Sequence, residues 1–253
     1  MKLPWRWIAV GAVAYLIFLV ATAPATLLTR RLASQGVVIA EASGSVWSGR
    51  AAAIQYRGFT LGATQWRINA AALLLGRLTL EFKSKRDDGF VNATVSARLS
   101  GKLHISDLRA ALPLSAIGSM SSGMVRGWQG NLQAQVAELV LVQGWPVYLR
   151  GTIDATELVG PASQPASIGG YSVSFDGSDA NGTAGELQGQ LSSRDNAPLD
   201  VAGFLRLQPN RQYVIDAQVG TRTNAPEQIR KALEYLGPPD AQGRRPLSVS
   251  GSL

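Results

Sequence analysis

The chain carries a single histidine, His104, and no cysteine. A thiolate nucleophile and a thiolate metal site are therefore absent from its chemistry, and a histidine-pair metal site cannot be built. His104 stands between Lys102 and Ser106 on the polar phase of an alternating stretch, where a surface role is expected. A general base there would need an orienting partner, and spacing supplies none. Asp87 and Asp88 precede Gly89, a composition that builds a turn. Asp176, Asp179 and Asn181 come nearer to a calcium loop, but the bidentate acid that completes such a loop is missing at the required spacing. The glycines at 185 and 189 are not followed by Lys-Ser/Thr, so they do not form a phosphate loop, and no Gly-x-Ser-x-Gly elbow occurs. Arg244-Arg245, between Gly243 and Pro246, can meet an anion or simply sit in a solvated loop. By elimination the chain is expected not to be an enzyme, and to need neither cofactor nor metal.

Composition points away from nucleic acid as well. There are 24 Lys and Arg against 17 Asp and Glu in 253 residues, a formal charge of +7. The basic residues are scattered singly instead of clustering on one segment, which suits a mildly basic surface facing anionic lipid or polymer. Abundant glycine with sparse charge suits a sheet protein with many turns.

Residues 7–23 are uncharged and apolar, close to the minimum that spans a hydrocarbon core as a helix. Trp7, Ile8, Val10, Val13, Leu16, Ile17, Phe18, Leu19 and Val20 would form the anchor. Trp5 and Trp7 stand at headgroup level, and Lys2 and Arg6 precede the run. Ala21-Thr22-Ala23 also resembles a signal-peptide cleavage site, but Pro24 would follow the cut directly. We expect a retained anchor with a cytoplasmic N-terminus, and the rest of the chain outside the cytoplasm. The expected organisation is residues 1–30 as start, transmembrane anchor and juxtamembrane segment, then 31–253 as one periplasmic β-rich domain. A candidate internal boundary falls at 158–167, in a Pro-, Ala- and Ser-rich loop.

Alternation of period two dominates after Val37-Val38-Ile39, as in a sheet with one covered face. In 91–99 the apolar residues are Val91, Ala93, Val95, Ala97 and Leu99, and the phase continues in Leu103 and Ile105. Leu78, Leu80 and Phe82 form the preceding strand, with Lys85-Arg86-Asp87-Asp88-Gly89 as the hairpin between them. The phase of 131–141 slips at Ala137-Glu138, which marks a bulge. Later strands are expected around 147–156, 171–175, 199–207, 213–219 and 247–250. Two helices are expected: a short one in 107–117, broken by Pro113, and a second capped by Asn224, with Ile229, Leu233 and Leu236 as its apolar stripe and Gly237-Pro238 as its end. The fold class is therefore all-β and mainly antiparallel. It is a long curled meander, an incomplete barrel or groove, with one or two short helices and an N-terminal transmembrane helix.

Backbone-shaping residues stand out more than reactive ones. Gly44-Ser45-Val46-Trp47-Ser48-Gly49-Arg50 sets a tryptophan between two glycines, where its indole would cover exposed backbone. Trp66-Arg67-Ile68 precedes Leu73-Leu74-Leu75-Gly76-Arg77-Leu78, a strand, a short apolar turn and a reversal. Together with the N-terminal anchor and a tail of Leu236-Gly237, Asp240, Gln242-Gly243-Arg244 and Ser250-Gly251-Ser252-Leu253, these residues resemble the protein N family of the bacterial type II (general) secretion pathway. The chain has Ala70-Ala71-Ala72 where that family often has a proline. The resemblance implies a single-pass inner-membrane protein with its main domain in the periplasm. It would assist export of folded proteins across the outer membrane, beside the inner-membrane platform and the secretin. It also implies a distant similarity to proteins whose curled sheets form a lipid-conducting groove.

Two readings follow. One is an accessory subunit that binds other secretion subunits through its polar face or sheet edges. The other is a lipid-binding or lipid-transfer module with an apolar furrow lined by Val91, Val95, Leu99, Leu103, Leu199 and Val201.

Overall fold

The computed structural model describes residues 10–12, 15, 18, 19, 22–98, 100–117, 127–161, 166–177, 186–194 and 196–252. A first helix, α1 (Thr26–Ala33), leads into sixteen described strands. They are β1 (Val37–Ala40), β2 (Ser43–Gly44), β3 (Ser48–Ala51), β4 (Ala53–Tyr56), β5 (Phe59–Leu61), β6 (Ala63–Asn69), β7 (Arg77–Arg86), β8 (Gly89–Arg98) and β9 (Lys102–Pro113), then β10 (Gln129–Val142), β11 (Trp145–Val159), β12 (Ser167–Asp176), β13 (Leu187–Ser193), β14 (Leu199–Leu207), β15 (Gln212–Thr221) and β16 (Arg245–Ser252). Two further helices, α2 (Leu114–Ile117) and α3 (Glu227–Glu234), follow β9 and β15. Of the run at 7–23, Trp7, Ile8, Val13, Leu16, Ile17 and Val20 lie outside the described residues, while Val10, Phe18 and Leu19 are exposed. Among the described residues no helix is long and apolar enough to cross a membrane.

Thirteen strands make one sheet in the order β2-β3-β6-β7-β8-β9-β10-β11-β12-β13-β14-β15-β16. Every neighbouring pair is antiparallel, and the two ends do not meet. The register carries the alternation across the whole width. On one face Ile68 lies opposite Leu80, Leu80 opposite Val95, Val95 opposite Ile105, and Ile105 opposite Leu139. The same face continues through Ile153, Val173, Leu191, Gly203, Ala217 and Leu247. On the other face the opposed residues are polar, as in the row Lys83, Asn92, Arg109, Gln135, Thr152, Ser174 and Gln190. β11 and β12 remain paired up to Val159 and Ser167.

The sheet bends toward its apolar face. Strands two apart in a flat sheet are separated by nearly 10 Å, yet β11 approaches β13, and β12 approaches β14, to within 8 Å between Cα atoms. Glycine makes the bend possible. A Cβ on Gly203 would stand 2.2 Å from the Asp216 carbonyl oxygen and 2.4 Å from the Ala217 Cα, and one on Gly189 would stand 2.6 Å from Val173.

The bulge expected at Ala137 is present, and it has a partner. β10 shifts register against β11 between Val136 and Glu138, and β9 shifts against β8 around Asp107, whose φ is 52°. The two slips face each other, because Val136 opposes Leu108 while Glu138 opposes Ser106. Both strands therefore change phase together, and Ile105, Leu108 and Leu112 all reach the apolar face. This corrects the helix expected over 107–117. The stretch is the second half of β9, and only α2 is helical. A phase slip inside a strand spaces apolar residues by three and four, which imitates a helix.

The second expected helix is present as α3, but Asn224 does not cap it. Pro226 is the N-cap and no side chain caps it. A proline restrains the residue before it from helical geometry, which keeps Ala225 and Asn224 outside. Ile229 and Leu233 are buried, and Leu233 with Leu236 packs onto Val201, Ala217 and Val219. At the opposite end of the sheet, β1, β4 and β5 form a separate three-stranded sheet. Ile39 and Ile54 from it pack with Ala25, Ala51, Trp66, Ile68 and Leu80. The open sheet is thus covered at both ends by elements that are not part of it.

Replacing Gly203 with valine should lower stability by about 1–3 kcal/mol through overpacking, read as a lower urea midpoint. Ala202→Val, on the exposed polar face, should shift it by less than about 0.5 kcal/mol. On that face Ser248 donates to Asp216 at 2.7 Å and Arg206 pairs with the same carboxylate. These partners hold the Asp216 carboxyl below the usual carboxylate range. Its stabilising effect is therefore present above the unfolded pKa of about 4 and is lost as pH falls through the lower folded value. Ser248→Ala should raise the Asp216 titration midpoint, measured by carboxyl NMR.

Candidate functional site on the apolar face

Between its two covers, the apolar face carries Val136, Leu149, Phe175 and Leu187 as a buried cluster, with Leu108, Leu139, Ile153, Val173 and Leu205 packed around it. Of the six residues expected to line a furrow, Leu99 lies outside the described residues, and the other five share this face. They differ in environment. Val201 is 8% exposed and Leu199 packs beside it, both against the α3 cluster. Val91 and Val95 are half-buried, and Leu103 is 36% exposed. The β14–β15 end of the face is therefore filled by Leu233, and the part that stays open lies at β7, β8 and β9, where Leu78 and Leu103 flank Ala97. Spacing revealed the face but not its covers, which come from residues far away in the chain.

The second group, the residues that carried the family resemblance, divides between the two ends. At the first end β2 and β3 form a tight hairpin. Gly44 has φ 91°, and a Cβ there would stand 2.6 Å from the Ser48 carbonyl oxygen. The Ser45 N–H donates to that same oxygen at 2.9 Å, and the Ser48 N–H donates to Ser45 Oγ at 3.1 Å. Gly49 lies directly under the Trp66 indole, and a Cβ there would stand 2.3 Å from Cζ2. Trp66 is 8% exposed, and its Nε1–H donates to the Val46 carbonyl at 3.1 Å. The indole that shields this glycine is thus Trp66, a cross-strand neighbour, and not Trp47 as the local sequence suggests. The Trp47 carbonyl instead accepts the Ile68 N–H at 2.6 Å. The hairpin also grips the chain that precedes it. The Ala25 N–H donates to the Gly44 carbonyl at 3.1 Å, and the Val46 N–H to the Ala23 carbonyl at 2.9 Å. Arg50 donates to Ser43 Oγ at 3.3 Å, beside a shallow cavity of about 390 Å³ lined by Gln65, Arg67, Glu81 and Lys83 among others. Gly76, with φ 67°, closes the 3-10 turn at Ala70–Leu75 before β7 begins.

At the far end Gly237 and Gly243 take φ of 99° and 79°. Arg245 Nε donates to the Gly237 carbonyl at 2.8 Å, and Arg244 Nη2 lies 2.9 Å from Asp200 Oδ2. The Asp200 carboxylate also receives Arg222 at 3.4 Å. Arg244 and Arg245 fasten the segment after α3 onto the sheet and, like Arg222, are occupied within the fold.

Among the described residues the reactive candidates do not converge, and Asp179 and Asn181 lie outside those residues. His104 Nε2 lies 3.3 Å from Glu138 Oε1, and Arg150 Nη2 lies 3.7 Å from Glu138 Oε2, on the half-exposed polar face. Asp88 pairs with Arg86 within the β7–β8 turn at 2.7 Å, and the hydrogen bond from that guanidinium holds the carboxyl below its usual range. Among the described residues no three His, Asp or Glu side chains gather as a metal site. What the arrangement can do is present surfaces: a partly open apolar face, a polar face and two strand edges. Trp66→Ala should cost about 3–5 kcal/mol by chemical denaturation, while Trp66→Phe, which keeps most of the ring over Gly49, should cost clearly less.

A family model described as "Type II secretion system (T2SS), protein N" matches residues 35–248. The chain is 28% identical over 263 residues to the type II secretion system protein N of Aeromonas hydrophila, covering 97% of each chain. It is 26% identical to that of Vibrio cholerae serotype O1 over 227 residues, 87% of this chain and 86% of the relative. A third relative of the same name, from Aeromonas salmonicida, is 40% identical over 47 residues, 19% of this chain. No solved structure gives a significant match. The match over most of its length shows that the chain belongs to the type II secretion system protein N family.

Proposed function

We propose that this protein is an accessory, inner-membrane-anchored subunit of the type II secretion machine, with its sheet in the periplasm, and that it assists export of folded proteins by contacts with other subunits. Family membership makes it a secretion component associated with that system. The observation that carries the contact mode is the open edge of the sheet. Among the described residues β16 pairs only with β15, and most of its eight positions are exposed. The free side of an edge strand offers a row of backbone donors and acceptors to which a partner strand can add. In this reading the protein acts through contacts and not through a reaction of its own.

The absence of cysteine makes the test clean. Ser250→Cys, on the exposed edge strand, should crosslink to other secretion subunits in envelopes of an actively secreting strain. Deleting the chain should leave exoproteins stranded in the periplasm. A secreting strain that shows no crosslink would overturn the contact mode, and normal secretion without the chain would overturn the accessory role.

A second reading, binding of lipid by the apolar face, is favoured by one observation: the face is open at Leu78 and Leu103 while half-buried at Val91 and Val95. Native mass spectrometry of the detergent-extracted protein should then show bound lipid, with less retained in Val95→Asp. Equal lipid retention in the variant would sink this reading.

A further inference from the structure

We propose that the corner of the sheet formed by the 3-10 turn before β7 and the β8–β9 turn is a docking edge for an anionic lipid bilayer, the same bilayer that holds the N-terminal run. The inference rests on the anchored reading given above.

Three observations meet at this corner. The first is charge. Arg77 and Arg98 are directly opposed on β7 and β8, and Lys102 flanks Arg98 across the next turn. All three are exposed, on the polar face, and none has a carboxylate partner among the described residues. Like charges placed directly opposite one another repel, so this row is unfavourable until an anion lies across it. No acidic residue occurs in 70–78 or 97–103 to provide one. A shallow depression of about 510 Å³ lined by Gly76, Arg77, Arg98 and Ser100 opens between the two turns.

The second is exposed apolar surface on the reverse side of the same strand ends. Leu78 is 39% exposed, Leu103 36%, and Leu73 in the 3-10 turn 43%. A strand end with leucines on one side and long cations on the other matches the boundary between acyl chains and headgroups, where Lys and Arg reach phosphate while their neighbours sit deeper.

The third is position. The Val46 N–H donates to the Ala23 carbonyl, and the Ile68 N–H donates to the adjacent Trp47 carbonyl. The end of the apolar N-terminal run is thus fastened beside the C-terminal end of β6, from which the 3-10 turn continues. β9 lies four strand steps from β3, about 19 Å at the usual strand spacing. A bilayer that receives residues 7–23 therefore passes close to this corner. The β7–β8 turn at Asp87 lies at the other end of a ten-residue strand, about 33 Å away.

Anionic lipid is the occupant this chemistry selects, because the cations and the leucines need an amphiphile and lie where the membrane segment ends. The full chain lacks cysteine, so single-cysteine variants Leu19→Cys, Leu103→Cys and Asp87→Cys can carry an environment-sensitive fluorophore in lipid nanodiscs containing quencher-labelled phospholipid. In phosphatidylglycerol discs the label at 103 should be quenched and the label at 87 should not. Quenching at 103 should be lost in phosphatidylcholine discs, in 1 M salt, where the screening length falls to about 3 Å, and in the Arg77→Gln/Arg98→Gln background. Circular dichroism should show that background to be folded. If 19 is quenched but 103 is not, the docking edge is wrong and the anchor stands. Quenching at 103 that ignores headgroup charge and the arginines also overturns the proposal, as does shielding of 103 by a second copy of the chain without lipid quenching. If neither 19 nor 103 is quenched, both the anchor and the docking edge fall.

Discussion

The structure depends on one requirement: a sheet thirteen strands wide has an apolar side that must be kept from water, although the sheet does not close on itself. Closing into a barrel would shelter that side and remove both edges at once. This chain instead bends toward its apolar face and brings separate elements over the two ends. Glycine and alanine at the bend let the backbones of β14 and β15 approach, since a larger side chain at Gly203 would collide with Ala217. Burial does most of the rest, since the chain has no disulfide and no metal site gathers among the described residues.

The two covers are made differently, and the difference matters for function. At the β14–β15 end a single amphipathic helix places Leu233 among Val201, Ala217 and Val219, and the arginines at 222, 244 and 245 fasten the flanking segments. At the β3–β7 end the cover is a small sheet around Trp66, tied by backbone hydrogen bonds to the chain that leaves the N-terminal run. Fixing that exit orients the whole sheet with respect to whatever holds the run. Between the covers the apolar face opens toward Leu78 and Leu103, and the free edge of β16 lies at the opposite margin.

The residues that carry the resemblance are parts of this arrangement. Gly44 and Gly49 permit the hairpin and its close contact with the indole, Trp66 joins β3 to β6, and Gly76 reverses the chain. Gly237 and Gly243 terminate and turn the segment after α3. They shape the backbone.

Much of this was legible in the chain alone. Alternation identified the antiparallel strands, their common apolar face, the β7–β8 hairpin and the bulge at Ala137, because the period of two is a local property of extended backbone. Turn chemistry located Gly76, Gly237 and Asp87-Asp88 for the same reason. Other features were decided only by tertiary structure. The matching slip at Asp107 exists because β9 must stay in register with a bulged β10, and without that partner its spacing resembles a helix. Trp66 covers Gly49 because pairing of β3 with β6 sets them opposite each other. Val201 is buried while Leu103 is open because α3 crosses one end of the face and not the other. Each of these depends on residues distant in sequence coming together, and the local pattern of side chains carries no record of which distant partner will arrive.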